Sequence, residues 1–303
     1  MAELGKRPSS NGTITVARAH NPHTMAGTLF VVATPIGNLE DISLRALRVL
    51  REVNLIAAED TRRTAKLLSH YGIHTPTLSF HAHNSRARLP HLLNRLGAGE
   101  SIALVTDAGT PGVSDPGAEL VAACRQRGMV VDPIPGASAA LVAAVGSGFP
   151  LNSVTFLGFP PIKAKARNAW IRGLASAPET QVFFEAPHRI GSTLLELREI
   201  LGSRQICVGR ELTKAHQEFL VGPADSDAFL SITRKGEFTI VIGPAAAAAV
   251  SSPPPSDESI AELFRAIAQS GEVSGRRATA GEVARRVGLT ANEVYRALER
   301  TKL

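Results

Sequence analysis

The sequence predicts an α/β fold whose first half is built on a parallel sheet, and three observations lead there. Short apolar runs at 29–33, 55–58, 77–80, 101–105 and 129–134 alternate with segments of helical apolar spacing, the pattern of strands joined by crossover helices. Each run breaks at its C-terminal end into a polar or glycine-bearing loop. Near residue 150 the rhythm changes to runs at 152–158, 181–184, 205–208 and 238–242, spaced for a second α/β domain with a mixed or antiparallel sheet.

The first run enters Thr34-Pro35-Ile36-Gly37-Asn38, followed by a helix with Leu44, Leu47 and Leu50 on one face. The second ends in Glu59-Asp60, the third in His81-Ala82-His83-Asn84 and the fifth in Pro135-Gly136-Ala137-Ser138. The fourth opens the longest loop, Thr106-Asp107-Ala108-Gly109-Thr110-Pro111-Gly112-Val113-Ser114-Asp115-Pro116-Gly117. Ordinary strand-to-helix loops take only a few residues, and ligands of open parallel sheets sit at the carboxyl ends of the strands. Three glycines, two prolines and two carboxylates at that edge predict a small-molecule site where a ligand approaches the backbone closely. The second half contributes Lys163-Ala164-Lys165-Ala166-Arg167, Glu185-Ala186-Pro187-His188-Arg189 and Arg210-Glu211-Leu212-Thr213-Lys214. Two domains whose motifs meet would form a cleft, a common place for a cofactor.

The expected organisation is a disordered tail over 1–26, α/β domains over 27–149 and 150–244, an Ala/Pro-rich linker over 245–256 and a helical unit over 257–303. The tail has no apolar stretch of the kind a signal peptide needs, and Met25 is an alternative start. Pro253-Pro254-Pro255 stiffens the linker. In the helical unit Ile260, Leu263, Phe264 and Ile267 form an apolar stripe. Thr279-Ala280-Gly281-Glu282 and Thr290-Ala291-Asn292-Glu293 read as capping boxes, each opening a helix. Gly288 supplies the turn between them, which makes a helix-turn-helix with Arg296, Arg300 and Lys302 on its second helix. Eight Lys/Arg against seven Asp/Glu in this unit keep a docking or dimerising module as the competing reading.

Of the 303 residues 44% are hydrophobic, yet no run approaches the roughly 20 apolar residues of a membrane helix. A soluble, cytoplasmic protein is expected. Cys124 and Cys207 are the only cysteines, too few for a disulfide framework or a zinc site. Charge is more informative. Within a net +6, residues 61–99 hold Arg62, Arg63, Lys66, Arg86, Arg88 and Arg95, five histidines and no acid. A one-signed segment beside a site points to a phosphate-bearing partner. No Walker loop, Ser-His-Asp arrangement or redox cysteine pair is present, and the first loop lacks three spaced glycines. That argues against a nicotinamide dehydrogenase and against the commonest methyltransferase fold.

Val32-Ala33-Thr34-Pro35-Ile36-Gly37-Asn38-Leu39, Ala57-Ala58-Glu59-Asp60-Thr61-Arg62 and Thr106-Asp107-Ala108-Gly109-Thr110-Pro111-Gly112 resemble the tetrapyrrole-methylase superfamily of class III methyltransferases. Phe159-Pro160-Pro161-Ile162-Lys163 and the two later clusters from Glu185 and Arg210 resemble its branch acting on small-subunit (16S) ribosomal RNA. The likeness spans 27–244 and departs at Ser85, where the family usually carries Glu.

The resemblance implies a two-domain fold with an appended helix-turn-helix, and S-adenosylmethionine folded into the cleft. Pro35, Ile36, Asp107, Ala108, Gly109, Gly112 and Val113 would line it, with Ser138 and Ala139 offering backbone N–H groups to the methionine carboxylate. Phe184, Glu185, Leu212 and Thr239 would close around adenine and ribose. The implied reaction is 2′-O-methylation of a cytidine in the decoding region, by a homodimer acting on the small subunit without a metal. A ribose hydroxyl is a poor nucleophile, so a base helps; Glu59, Asp60, His83 and Asp107 all fall at strand ends, and the residues alone do not choose among them. Arg62 and Arg63, with Lys163, Arg167, His188 and Arg189 across the cleft, would hold RNA phosphates. The competing functions are a tetrapyrrole carbon methyltransferase and a non-catalytic nucleic-acid-binding regulator.

Overall fold

A computed structural model describes residues 27–115, 117–245, 256–270, 273, 275–287 and 289–301. The expected tail over 1–26, the linker residues 246–255, Gly288 and Lys302 lie outside the described residues. The chain divides into two compact units, one ending at Ala245 and one beginning at Ala246.

The first unit opens with β1 (Thr28–Val32), α1 (Leu44–Glu52), β2 (Leu55–Ala58), α2 (Thr61–His70), β3 (Thr77–Ser79), α3 (Ser85–Gly97), β4 (Ile102–Val105), α4 (Ala118–Gln126), β5 (Val130–Ile134) and α5 (Ala139–Ser147). Its five strands are all parallel in the order β3-β2-β4-β1-β5. Strands β1, β2 and β4 are buried along their whole length, because apolar side chains meet helices on both faces. Phe30, Ile56 and Val105 pack with Leu50 on one side, and Leu29, Leu104 and Phe80 with Leu120 on the other. The connection leaving β1 runs toward β2 and the one leaving β4 toward β5. These adjacent strands therefore mark the reversal in strand order, where a crevice opens at the carboxyl ends.

In α1, Leu47 and Leu50 are buried with Ala46 and Val49, but Leu44 is 86% exposed. A three-residue spacing drifts about 60° per step around a helix of about 3.6 residues per turn. Leu44 thus lies well away from the buried face that Leu50 shares.

A second sheet follows: β6 (Val154–Phe156), α6 (Ala164–Ser176), β7 (Thr180–Glu185), α7 (Ile190–Leu201), β8 (Gln205–Arg210), β9 (Glu218–Pro223) and β10 (Phe238–Ile242). Its order is β6-β7-β10-β8-β9, parallel between β6 and β7 and antiparallel elsewhere, which is the mixed sheet the spacing predicts. Strand β9 is an addition to the expected runs, since Glu218-Phe219-Leu220-Val221-Gly222-Pro223 lacks alternation and ends in Gly-Pro. Those residues are tolerated at a sheet edge, the position β9 occupies.

Helix α5 joins the two sheets. Ala143 and Ala144 bury against Val182, Cys207 and Val241 of the second sheet, and Ile36 of the loop after β1 joins the same cluster. That loop also touches residues 211–214, where Glu211 and Thr213 adopt positive φ of 50° and 66°. The Asn38 N–H donates to Thr213 Oγ1 at 3.1 Å. A Cβ on Gly37 would run into the Lys214 side chain, Thr213 Oγ1 and the Leu212 carbonyl, so glycine is required by close approach.

The second unit packs α8 (Asp257–Ser270), α9 (Arg276–Val287) and α10 (Ala291–Arg300) around Ile260, Ile267, Ala280, Val283, Val294 and Leu298. The capping box at Thr290 is present: Thr290 Oγ1 accepts the Glu293 N–H at 3.3 Å, and Glu293 Oε2 accepts the Thr290 N–H at 2.7 Å. The one expected at Thr279 is not. Helix α9 begins at Arg276, and the buried Thr279 hydroxyl donates to the Gly275 carbonyl at 3.1 Å, the in-helix alternative open to threonine. Among the described residues no helix is long and apolar enough to cross a membrane.

Gly37→Ala should cost about 1–3 kcal/mol, the usual range for an added methyl group in a packed site. Urea unfolding would measure it, and an unchanged midpoint would mean the two loops are free to separate.

Candidate functional site

The carboxyl ends of β1, β2 and β4 and the facing ends of β7 and β10 enclose a cavity of about 430 Å³, within the roughly 300–1,000 Å³ of small-molecule pockets. Ile36 reaches it from the loop after β1, and Glu59 from the end of β2. The loop after β4 contributes Asp107, Ala108, Gly109, Thr110, Val113, Ser114 and Asp115. Ser138 and Ala139 stand at the start of α5, and Phe184 and Thr239 belong to β7 and β10. The β4 loop has the special backbone its composition predicts: Gly109, Gly112 and Gly117 all take positive φ, as does Ser114. Thr34 and Gly109 exchange two backbone hydrogen bonds, Thr34 N–H to Gly109 O at 2.9 Å and Gly109 N–H to Thr34 O at 3.0 Å. This pair ties the loops after β1 and β4 together beneath the cavity.

Two kinds of wall face each other. The second sheet supplies rings: Phe159 and Phe238 line the cavity with Phe184, and Phe184 meets Phe159 at 5.5 Å and Phe156 at 5.0 Å between centroids. The first sheet supplies the carboxylates of Glu59, Asp107 and Asp115 beside Arg63. Glu59 Oε2 accepts the Asp107 N–H at 3.2 Å. Asp107 Oδ1 accepts the Asp60 N–H at 3.1 Å, and its Oδ2 lies 3.5 Å from Arg63 Nε. Asp115 differs: burial, then the nearby Glu59 and Asp107 charges, push its carboxyl up to about 7. The two cysteines stay out of this chemistry, since burial pushes both thiols up to about 11.

Residues 28–226 match the family model described as Tetrapyrrole (Corrin/Porphyrin) Methylases. A protein of Synechocystis sp. described as ribosomal RNA small subunit methyltransferase I is 46% identical over 248 residues, covering 81% of this chain and 88% of that one. The chain belongs to the tetrapyrrole methylases. A second relative of the same description, from Thermotoga maritima, is 47% identical over 219 residues, 71% of this chain and 98% of its own. In fold, the methylase is similar to uroporphyrin-III C-methyl transferase from Thermus thermophilus, solved with S-adenyl homocysteine. The TM-score is 0.51 at 18% identity over 71% of this chain and 97% of that one.

The lining fits S-adenosylmethionine. Aromatic faces on one wall suit a purine, and the Glu59 and Asp107 carboxylates on the other suit a sulfonium and an ammonium. The first turn of α5, which the Ser138 side chain leaves uncapped, suits a carboxylate. Of the residues expected to hold the cofactor, Ile36, Asp107, Ala108, Gly109, Val113, Ser138, Ala139, Phe184, Glu185 and Thr239 line this cavity. Three do not. Leu212 is buried in the cluster behind it, Gly112 shapes the loop at φ 85°, and Pro35 lines a smaller neighbouring cavity of about 120 Å³ shared with Arg63 and Asp107. Asp115, Phe159 and Phe238 also line the cavity, the first within the long glycine-proline loop after β4.

The four base candidates separate. Glu59 and Asp107 face the cavity. Asp60 instead caps α2, accepting the Arg62 N–H at 2.8 Å, while the Arg62 guanidinium forks onto both its oxygens at 3.1 and 2.8 Å. Those bonds hold its carboxyl far below the usual range, which makes it a poor proton acceptor. His83 is exposed on the loop after β3, an edge strand, and does not line the cavity.

Among the residues expected to grip phosphate, Arg62, Arg63, Lys163 and His188 are exposed. Arg167 is not. It is buried with its Nη2 2.9 Å from Glu196 and 2.8 Å from Thr193 Oγ1, and its Nη1 3.6 Å from Glu185. Glu185, whose side chain is fully buried, is held by Arg189 at 2.8 Å, by Thr193 Oγ1 at 2.6 Å and by the Ala186 N–H at 2.8 Å. The Lys163–Arg167 cluster reads as surface in sequence, but helical spacing turns its last residue inward. Arg167 and Arg189 together neutralise a carboxylate that closes the floor of the cavity.

Arg167→Ala should therefore destabilise the fold by about 3 kcal/mol, the scale for removing one partner of a buried ion pair. Chemical denaturation would check it. A loss of RNA affinity at unchanged stability would restore the phosphate role.

Proposed function

We propose that this methylase transfers a methyl group to a cytidine 2′-hydroxyl of small-subunit ribosomal RNA, in the decoding region. What carries the reading is the likeness, at 46–47% identity across both sheets, to proteins described as ribosomal RNA small subunit methyltransferase I. The structural likeness to a tetrapyrrole enzyme, at 18% identity, reaches only the fold and does not extend to its substrate.

S-adenosylmethionine is the methyl donor, and its sulfonium supplies a methyl group already activated for transfer. What is left for the protein is to hold the hydroxyl in line and to take its proton. The second-sheet rings and Thr239 grip adenine and ribose, and the first turn of α5 holds the methionine carboxylate. RNA enters along the acid-free segment. Arg62, Arg63 and Lys66 of α2 and Arg86, Arg88 and His91 of α3 are all exposed and form a basic approach to the cavity mouth. Lys163 and His188 meet the strand from the other wall. The exposed Arg296 and Arg300 of α10 give the second unit a helix-turn-helix role on the same RNA. A homodimer in the cytoplasm completes the reading.

The test is to incubate the protein with labelled S-adenosylmethionine and small subunits from a strain lacking 2′-O-methylcytidine in that RNA. Mapping by mass spectrometry should find one methyl group on one cytidine ribose. A methylated base, or transfer to a tetrapyrrole carbon with none to RNA, would overturn the proposal.

A further inference from the structure

Four carboxylates crowd the carboxyl edge of the first sheet, and three are committed. Asp60 is held by Arg62, Asp107 by the Asp60 N–H and Arg63, and Glu59 by the Asp107 N–H. Asp115 lines the same cavity, and among the described residues no hydrogen bond or ion pair reaches its carboxylate. Its place is fixed by backbone: Ser114 before it is held at φ 66°, and Gly112 and Gly117 on either side at 85° and 134°. A Cβ on Gly117 would strike Leu104 in the sheet, so this end of the loop is anchored to the core. Special backbone geometry spent on an unpartnered acid facing a ligand cavity is characteristic of a working group rather than a brace.

We infer that Asp115 is the base of the reaction, its carboxylate taking the proton of the RNA 2′-hydroxyl. The inference rests on the methyl-transfer function proposed above. The O–H bond breaks and its proton goes to an Asp115 Oδ. The freed oxygen pair forms the bond to the methyl carbon given up by the sulfonium, whose S–C pair stays on sulfur as a neutral thioether. A carboxyl near 7 is matched to this task at neutral pH, where a base that is both ionised and strong is most effective. The charged groups sharing its cavity are Glu59 at the end of β2, Arg63 on α2, Asp107 after β4, Glu185 on β7 and Glu237 before β10. Arg63 is engaged by Asp107 at 3.5 Å, Glu185 by Arg189 at 2.8 Å and Glu237 by Lys214 at 3.1 Å.

Burial raises the folded-state value from 3.8 to about 7, so the unfolded chain loses this proton first. The contribution of Asp115 to stability is fully present below about 4, is lost as pH rises to about 7, and is absent above that. Asp115→Asn should then match the wild-type melting temperature at pH 4 and exceed it at pH 8. A structural brace would give the opposite result, a lower melting temperature on removal.

The decisive comparison uses the full chain with S-adenosylmethionine and small subunits. Asp115→Asn should keep cofactor and RNA dissociation constants within about threefold of wild type. Its single-turnover transfer should slow by at least about 100-fold, the lower end for loss of a positioned base. The wild-type rate should climb tenfold per pH unit up to a bend at or below 7, and the variant's rate should not. Carbon-13 NMR of the wild-type Asp115 carboxyl should titrate near 7. Asp115→Glu should recover part of the rate. Wild-type transfer to RNA with an equally fast Asp115→Asn, or a variant that fails to bind cofactor, overturns the inference and leaves the proposed function standing. No wild-type transfer to RNA overturns the function itself.

Discussion

The pair of backbone hydrogen bonds between Thr34 and Gly109 is the constraint on which the site depends. It joins the loops leaving β1 and β4, adjacent strands whose connections run in opposite directions. Because the partners are backbone groups, the bridge fixes where the chain runs and leaves the side chains of Ile36, Asp107 and Ala108 to face the cavity. Residue 109 makes it at φ 80°, a conformation that costs most L-residues about 1–2 kcal/mol. From this bridge the β1 loop continues to Gly37 and its contact with residues 211–214, so the same constraint positions the second sheet's wall.

That geometry sorts charge as well as shape. Carboxylates gather on the wall of the parallel sheet because its strands all end on one edge, and β2 and β4 deliver Glu59, Asp60 and Asp107 side by side. Like charges that close are tolerated only where N–H donors and guanidinium groups intervene, which is what Arg62, Arg63 and the Asp60 and Asp107 N–H groups supply. Asp115 lies beyond that network and carries the resulting cost itself. The opposite wall solves its own charge problem differently, by burying Glu185 between Arg167 and Arg189.

Much of this was legible in the sequence, for identifiable reasons. Parallel strands declare themselves as apolar runs, and a long glycine-proline loop after one of them marks a ligand edge, so the parallel sheet is legible in the sequence, and most of the residues expected around the cofactor line the cavity. What failed depended on distances that local pattern does not carry. Arg167 reads as surface because its neighbours are polar, and only the fold shows Glu185, Thr193 and Glu196 around it. Leu44 followed a three-residue spacing that drifts off the helix face. Thr279-Ala280-Gly281-Glu282 has the letters of a capping box, but the helix had already begun a turn earlier at Arg276. Asp115 stands in the same loop, but the lack of any partner for its carboxylate among the described residues is a matter of distances in space, which a sequence does not display.

Hydrogen–deuterium exchange of the full chain with and without S-adenosylhomocysteine tests the central claim, a cofactor cavity built jointly by both sheets. The account predicts slowed exchange in residues 106–115 and 138–142 of the first half together with 184–187 and 237–239 of the second. Protection confined to one half, or found only in residues 256–301, would contradict it.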